Sequence, residues 1–337
     1  MPLTLKDIAR MVGVAESTVS RAINNKPGVG EETRRKIMKI VKEYNFKPNQ
    51  LARGLAKKET RIIALLLSDL ATPGYTEIIK SIEEVANRAG YQVILCNTAN
   101  DIDKEKAYLE LVARNRVDGA IIVGGELADK NILNLALNKE GRLVLVNRLA
   151  EEVLIPTILV DNAKGGYLAT AHLIEQGLSR IAIIMGSIQD FLESEKLNGY
   201  KQALKDHNLP LREELIFETD GSRESGYNTF LNLMELDEPP GGFFVTSDLL
   251  AVGLIEAIKM GGYFIPDDFA IVSYGESLIT SIINPPLTVV AEPLNKLGRL
   301  AAEYLLKLIN NQSPDRVIRV LEPVLKMRAS SNPQIKS

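Results

Sequence analysis

The chain is expected to be an α/β protein in two unequal parts, a small all-helical head and a larger two-lobed body built on parallel sheets. Three observations carry this. From Arg61 onward, short apolar runs alternate with amphipathic stretches, the pattern of parallel strands covered by helices on both faces. The pattern restarts after Asp161, so two such units stand in tandem, with a cleft expected where the strand carboxyl ends meet. Charge is uneven: residues 1–60 hold thirteen Lys or Arg against six Asp or Glu, a net of +7, which leaves about −10 on the other 277 residues. Such an asymmetry suggests a nucleic-acid-binding head on a mildly acidic body.

Within the head, Thr4 followed by Asp7 reads as a capping box that opens a first helix. Ile8, Ala9 and Val12 give that helix an apolar stripe, and Gly13 supplies a sharp exit. A second helix, about Glu16 to Asn24, buries Val19, Ala22 and Ile23 and leaves Ser17, Thr18, Ser20 and Arg21 on its other faces. A short polar helix held by a neighbour fits the major groove of DNA. Glu31 to Tyr44 forms a third helix, acidic at its start and basic later, as the macrodipole favours. Its Arg34, Arg35 and Lys36 are candidates for phosphate contact or for a solvated face.

Pro48 then breaks the helical pattern, and Asn49 is a good N-cap for a short helix in which Leu51, Ala52 and Leu55 share one apolar side. A helix of about eight residues, weakened by Gly54, is marginal alone. Two copies paired through that side would offer Leu55 as a wedge in the minor groove. A plain linker is the other reading. The divisions expected are a helix-turn-helix domain over 1–47, a hinge over 48–60 and a body over 61–337.

The body, in a chain of 337 residues with 45% apolar content, is long enough to bury a large core. Cys96, the one cysteine, lies inside the apparent strand YQVILCN and is expected to be buried. The start MPLTLKDIARM has no hydrophobic signal core and no run reaches 18 apolar residues, so a cytoplasmic protein with no membrane partner is expected. Catalysis is not expected: there are two histidines, His172 and His207, no Cys or His pair at zinc spacing, and no nucleophile elbow or phosphate-binding glycine loop. No cofactor or metal is implied.

The run LKDIARMVGVAESTVSRAINNKPGVGEETRRKIMKIVKEYNFKPNQLARGLA resembles the DNA-binding head of the lactose-repressor (LacI-type) family of bacterial transcription regulators. The likeness continues through VDGAIIVGG, VDNAKGGYLATAHLIEQG, NGYKQAL, FFVTSDLLAVGLIEAI and NPPLTVVAEPLNKLGRLAAEYLL, in the family's order and over nearly the full length. It implies a periplasmic-binding-protein-like body whose chain crosses between lobes three times. Lobe one would be about 61–161 plus 290–321, and lobe two 162–289 plus 322–337. It also implies a homodimer on a palindromic double-stranded operator, acting as a repressor.

By that resemblance Ala15, Glu16, Ser17 and Arg21 face base edges, with Thr4 and Leu5 at the groove edge and Asn24, Asn49 and Arg53 placing the backbone and hinge. The Arg21 fork can pair with guanine O6 and N7, and Glu16 can accept from a cytosine amino group. Many relatives have serine where Ala15 stands, so a backbone contact or cap is expected to be missing.

The expected cleft departs from the family. Where relatives commonly have an Arg three residues before the Gly of the G-Y/F/W-x-x-A-L run, this chain has Lys196. Ser273-Tyr274-Gly275-Glu276 replaces a common Asp, and Gly221 stands near where an aromatic often stacks on a sugar. The remaining effector candidates are Asp69, Tyr75, Asn147, Arg148, Lys196, Ser247, Asp248 and Glu276. Unpaired sugar contacts cost about 1–3 kcal/mol each, so three losses argue against a neutral sugar. Lys196 and Arg148 suit an anion such as a phosphorylated sugar or a carboxylate. Control by a phosphorylated carrier protein, with an idle cleft, is a second reading; a solute-binding protein that never touches DNA is a third.

Overall fold

A computed structural model describes residues 3–44, 46, 59–125, 142–150, 154–315 and 317–332. It separates into two compact units, Met1–Thr60 and Arg61–Ser337. In the first, α1 (Leu5–Val12), α2 (Glu16–Ile23) and α3 (Glu31–Glu43) enclose Ile8, Ala9, Val19, Ala22 and Ile37, each buried. The capping box forms as the sequence predicts: the Thr4 hydroxyl accepts from the Asp7 backbone at 3.2 Å, and the Asp7 carboxylate accepts from the Thr4 backbone at 3.0 Å. Gly13 ends α1 at φ 72, a left-handed conformation that costs glycine little.

The second unit carries two six-stranded sheets. The first is ordered β11-β5-β4-β3-β1-β2 and uses β1 (Ile62–Leu67), β2 (Gln92–Asn97), β3 (Gly119–Val123), β4 (Leu143–Val146), β5 (Thr157–Val160) and β11 (Ile318–Leu321). The second is ordered β12-β10-β9-β8-β6-β7 and uses β6 (Ile181–Met185), β7 (Ile216–Glu218), β8 (Gly242–Val245), β9 (Ala270–Tyr274), β10 (Thr288–Ala291) and β12 (Val324–Lys326). Every pairing is parallel except β10 with β12. The central strands β1, β3 and β8 are nearly wholly buried, which explains their unbroken apolar runs. Cys96 is buried in β2, as expected.

Helices α4 (Tyr75–Arg88), α5 (Ile102–Ala113) and α11 (Leu294–Ile309) cover the first sheet. The second is covered by α6 (Asn162–Glu175), α7 (Phe191–Asp206), α8 (Arg223–Met234) and α9 (Asp248–Met260), with the short α10 (Leu278–Ile282) after β9. Helices α6 and α7 meet backbone to backbone. A Cβ on Gly199 would lie 1.9 Å from the Ala163 carbonyl oxygen, and one on Gly166 would lie 2.1 Å from that of Lys196, so neither site tolerates a side chain.

The chain leaves one sheet for the other after β5, after β10 and after β11, each time from a strand's carboxyl end. Those ends of both sheets are therefore brought to the same junction. One boundary differs from expectation. Val290 and Ala291 belong to β10 of the second sheet, so the second crossing falls at Glu292 and Pro293 and not at 290. The apolar run TVVA gives no signal of which sheet it joins; its parallel register with β9 decides.

Candidate functional site

The head presents the start of α2 to solvent. Ala15 is its N-cap in extended conformation with no side-chain cap bond, in keeping with the serine that is missing there. Ala15, Glu16, Ser17 and Arg21 are exposed, and the Arg21 guanidinium makes no hydrogen bond among the described residues. Thr4 is exposed and Leu5 half-buried beside them in sequence, with the Thr4 hydroxyl given to the cap. Thr18 and Ser20 are half-buried. The Asn24 amide donates to the Ser20 carbonyl at 2.7 Å and closes the helix end. Asn49, Ala52, Arg53 and Leu55, with the expected hinge helix, lie outside the described residues.

Arg34 is not free for phosphate. Its guanidinium donates to the Ala22 carbonyl and the Asn25 side chain, both at 2.9 Å, and to the Lys26 carbonyl at 2.7 Å. It fastens the α2–α3 loop, a structural task that local spacing does not reveal. Lys36 pairs with Glu32 at 2.9 Å on an exposed face.

Between the lobes, side chains converge from loops that follow the strands, the usual place for a ligand in open α/β sheets. Tyr75 opens α4, and its hydroxyl lies 2.8 Å from that of Ser68. Burial pushes this phenol upward, and Glu292, Asp190 and Asp69 add to the effect, so acids of both lobes lie near it. Asp69 accepts from the Ala71 backbone at 3.0 Å. Asn147 sits at φ 48 after β4; its oxygen accepts from the Val160 backbone at 3.0 Å and its amide reaches Glu292 at 3.5 Å.

Both cations expected to meet an anion are already paired. Arg148 is buried and forked onto Glu105 at 2.8 and 3.0 Å. Lys196 donates to Glu193 at 2.7 Å and to the Thr246 carbonyl at 3.3 Å, with its ammonium 4.4 Å from the centre of the Tyr274 ring. Glu193 is held in turn by the Gly186 backbone and the Thr246 hydroxyl at 3.0 and 2.6 Å. Each cation thus already carries a counter-ion, while the buried Arg148 Nε has no hydrogen-bond partner. The counter-ions sit 43 residues from Arg148 and three from Lys196, and neither was singled out in the sequence.

Ser247 caps α9 by accepting from the Leu250 backbone at 3.3 Å. Asp248 is buried and accepts from the Ser273 hydroxyl and the Ser277 backbone, both at 3.0 Å. Glu276 pairs with Lys326 at 2.6 Å and Arg328 at 2.8 Å, and so ties the β9 loop to the last strand. Sequence reasoning passed over Glu292, which follows β10 directly. A charged residue at a parallel strand's carboxyl end was the available signal. Among the described residues there is no group of His, Cys, Asp or Glu fit to hold a metal ion, and no helix long and apolar enough to cross a membrane.

Residues 4–49 match the family model of bacterial regulatory proteins of the lacI family, and residues 170–331 match a periplasmic binding protein-like domain. The chain is 31% identical over 327 residues to the HTH-type transcriptional repressor PurR of Aliivibrio salmonicida, covering 97% of this chain and 98% of that protein. This protein belongs to the lacI family of bacterial regulators. It is also 33% identical to the HTH-type transcriptional regulator RegA of Clostridium saccharobutylicum, over 98% of this chain and all of that one. Among solved structures, the lac repressor dimer bound to operator and the anti-inducer ONPF is similar at a TM-score of 0.85 and 25% identity, over 98% of this chain and 99% of that one. The chain is a helix-turn-helix transcriptional regulator with an effector-binding body, and its relatives are regulators, not enzymes.

Proposed function

We propose that the protein is a repressor that binds a near-palindromic operator as a homodimer, with Glu16, Ser17 and Arg21 reading base edges. The observation that carries this is the exposed start of α2, whose Arg21 guanidinium has no partner among the described residues while the helix beneath it is locked by a buried core. A guanidinium left open on a rigid helix is what bidentate readout of guanine needs. The operator-bound dimer to which the chain is similar supports the assembly.

A small molecule between the lobes is the effector in this reading. It controls operator affinity only through its preference for one lobe arrangement over another. Reversing a 1:99 balance to 99:1 needs a preference of about 5.5 kcal/mol. Asp69, Tyr75, Asn147 and Asp248 are the effector contacts in this reading, while Arg148 and Lys196 already face Glu105 and Glu193.

Fluorescence anisotropy with the full chain tests the reading. A symmetric duplex from upstream of the regulated genes should bind about 10³-fold or more tightly than a scrambled one. Its log affinity should fall linearly with log salt concentration. Equal affinity for both duplexes at every salt concentration would remove the specific-repressor reading.

A further inference from the structure

Arg148 and Lys196 each already face a carboxylate, and most side chains left beside them are acidic or phenolic, although the buried Arg148 Nε and Ser277 hydroxyl also lack a partner. Glu292, half-buried, receives one long hydrogen bond from Asn147 at 3.5 Å, and its second oxygen has no partner among the described residues. Asp69 and Asp161 each spend one oxygen on a backbone N–H and Asp190 one oxygen on two, and the other oxygens have no hydrogen-bond partner among the described residues. The Tyr274 hydroxyl is buried with no hydrogen-bond partner, and the side chain is 4% exposed. Glu292, Glu193 and Asp161 are the charges acting on that phenol, so the unpartnered hydroxyl lies in the same acidic neighbourhood.

A half-buried carboxylate only partly offset by Lys196 and a buried hydroxyl without a partner are both costly arrangements. A sugar phosphate would worsen the first. A cation carrying N–H donors would relieve both. Taking the cleft as the effector site, we propose that its ligand is a small protonated amine whose N–H groups are accepted by Glu292 and the Tyr274 hydroxyl.

The charge balance around Glu292 supports a pH dependence. Burial pushes its carboxyl above the ordinary carboxylate range, and Asp248 of α9 and Glu193 of α7 push the same way. Lys196 of α7 and the Asn147 hydrogen bond pull it back in part. A proton and a ligand cation then compete for one carboxylate. Amine affinity should rise as pH climbs through the Glu292 titration and level off above it.

Titration calorimetry on the full chain tests this with glucosamine and putrescine as amines, glucose as neutral control and glucose 6-phosphate as anion. The same compounds are added to operator anisotropy. At least one amine should bind ten-fold or more tightly than glucose or glucose 6-phosphate. Glu292→Gln should weaken that amine ten-fold or more and flatten its pH profile, while the unliganded melting temperature stays level or rises. Tighter binding of glucose or glucose 6-phosphate, amine affinity unchanged in Glu292→Gln, or no amine binding at millimolar concentration would each overturn it. A neutral or anionic compound that binds and alters operator affinity sinks the amine but keeps the effector reading. Specific DNA binding that no compound alters counts against both.

Discussion

Two arginines show how differently the two ends of this chain use positive charge. Arg21 is exposed on α2 with no partner among the described residues, whereas Arg148 is buried after β4 and forked onto Glu105 at 2.8 and 3.0 Å. The first is available to a phosphate or a base edge. The second is consumed in holding the β4 loop. A count of cations along the sequence treats them alike, and only the position of the nearest carboxylate separates a binding group from a structural one.

The comparison is broken most forcefully at the buried pair. Arg148→Ala leaves Glu105 buried without its partner and should cost about 3–5 kcal/mol of unfolding free energy, read by urea denaturation of the body's transition. A loss under 1 kcal/mol would mean that Arg148 is freer than its geometry indicates. At the exposed end, Arg21→Ala should cost about 1–3 kcal/mol at the cognate operator, relax base preference at one position and leave the melting temperature in place. Unchanged preference across a set of single-base operator variants would remove Arg21 from readout.

Arg34 sharpens the contrast because it lies in the head yet behaves like Arg148. Arg34→Ala removes three hydrogen bonds around the α2–α3 loop and should destabilise the head by about 1–2 kcal/mol, since the group is only half-buried. The slope of log affinity against log salt should stay as it was; a slope lowered by about one would mean a phosphate contact instead. The smallest effect is expected at Ala15, where Ala15→Ser supplies the missing N-cap and should stabilise the head by about 0.5–1 kcal/mol. Thermal melting of the full chain, followed at the head's transition, measures it.

What the sequence discloses follows the distance over which residues act. The Thr4–Asp7 cap, the Gly13 exit and the apolar stripe of Ile8, Ala9 and Val12 all depend on neighbours a few positions apart, and each forms as read. The alternation of strand and helix in the body is equally local. The two-sheet arrangement adds only the general rule that parallel sheets are covered on both faces. The cleft is different. Glu276 meets Lys326 and Arg328 across about fifty residues, and Asp248 meets Ser273 across 25, so their availability is decided by the fold. Lys196 is nominated by its place in the family pattern, which says nothing of Glu193 one helical turn away. Glu292 follows the apolar run TVVA, which gives no local sign of the sheet crossing beside it.

The contact of α6 with α7 through Gly166 and Gly199 makes a lever of the second lobe. Helix α6 begins at the first crossing, beside Asp161, and its 14 residues span about 21 Å at 1.5 Å per residue. With no side chain between the two backbones at these two glycines, a tilt of α6 should carry α7 with it. By the same rise per residue, a turn of about ten degrees at the crossing would sweep the far end through about 4 Å. A ligand that shifts the crossing slightly would thereby displace a whole helical slab.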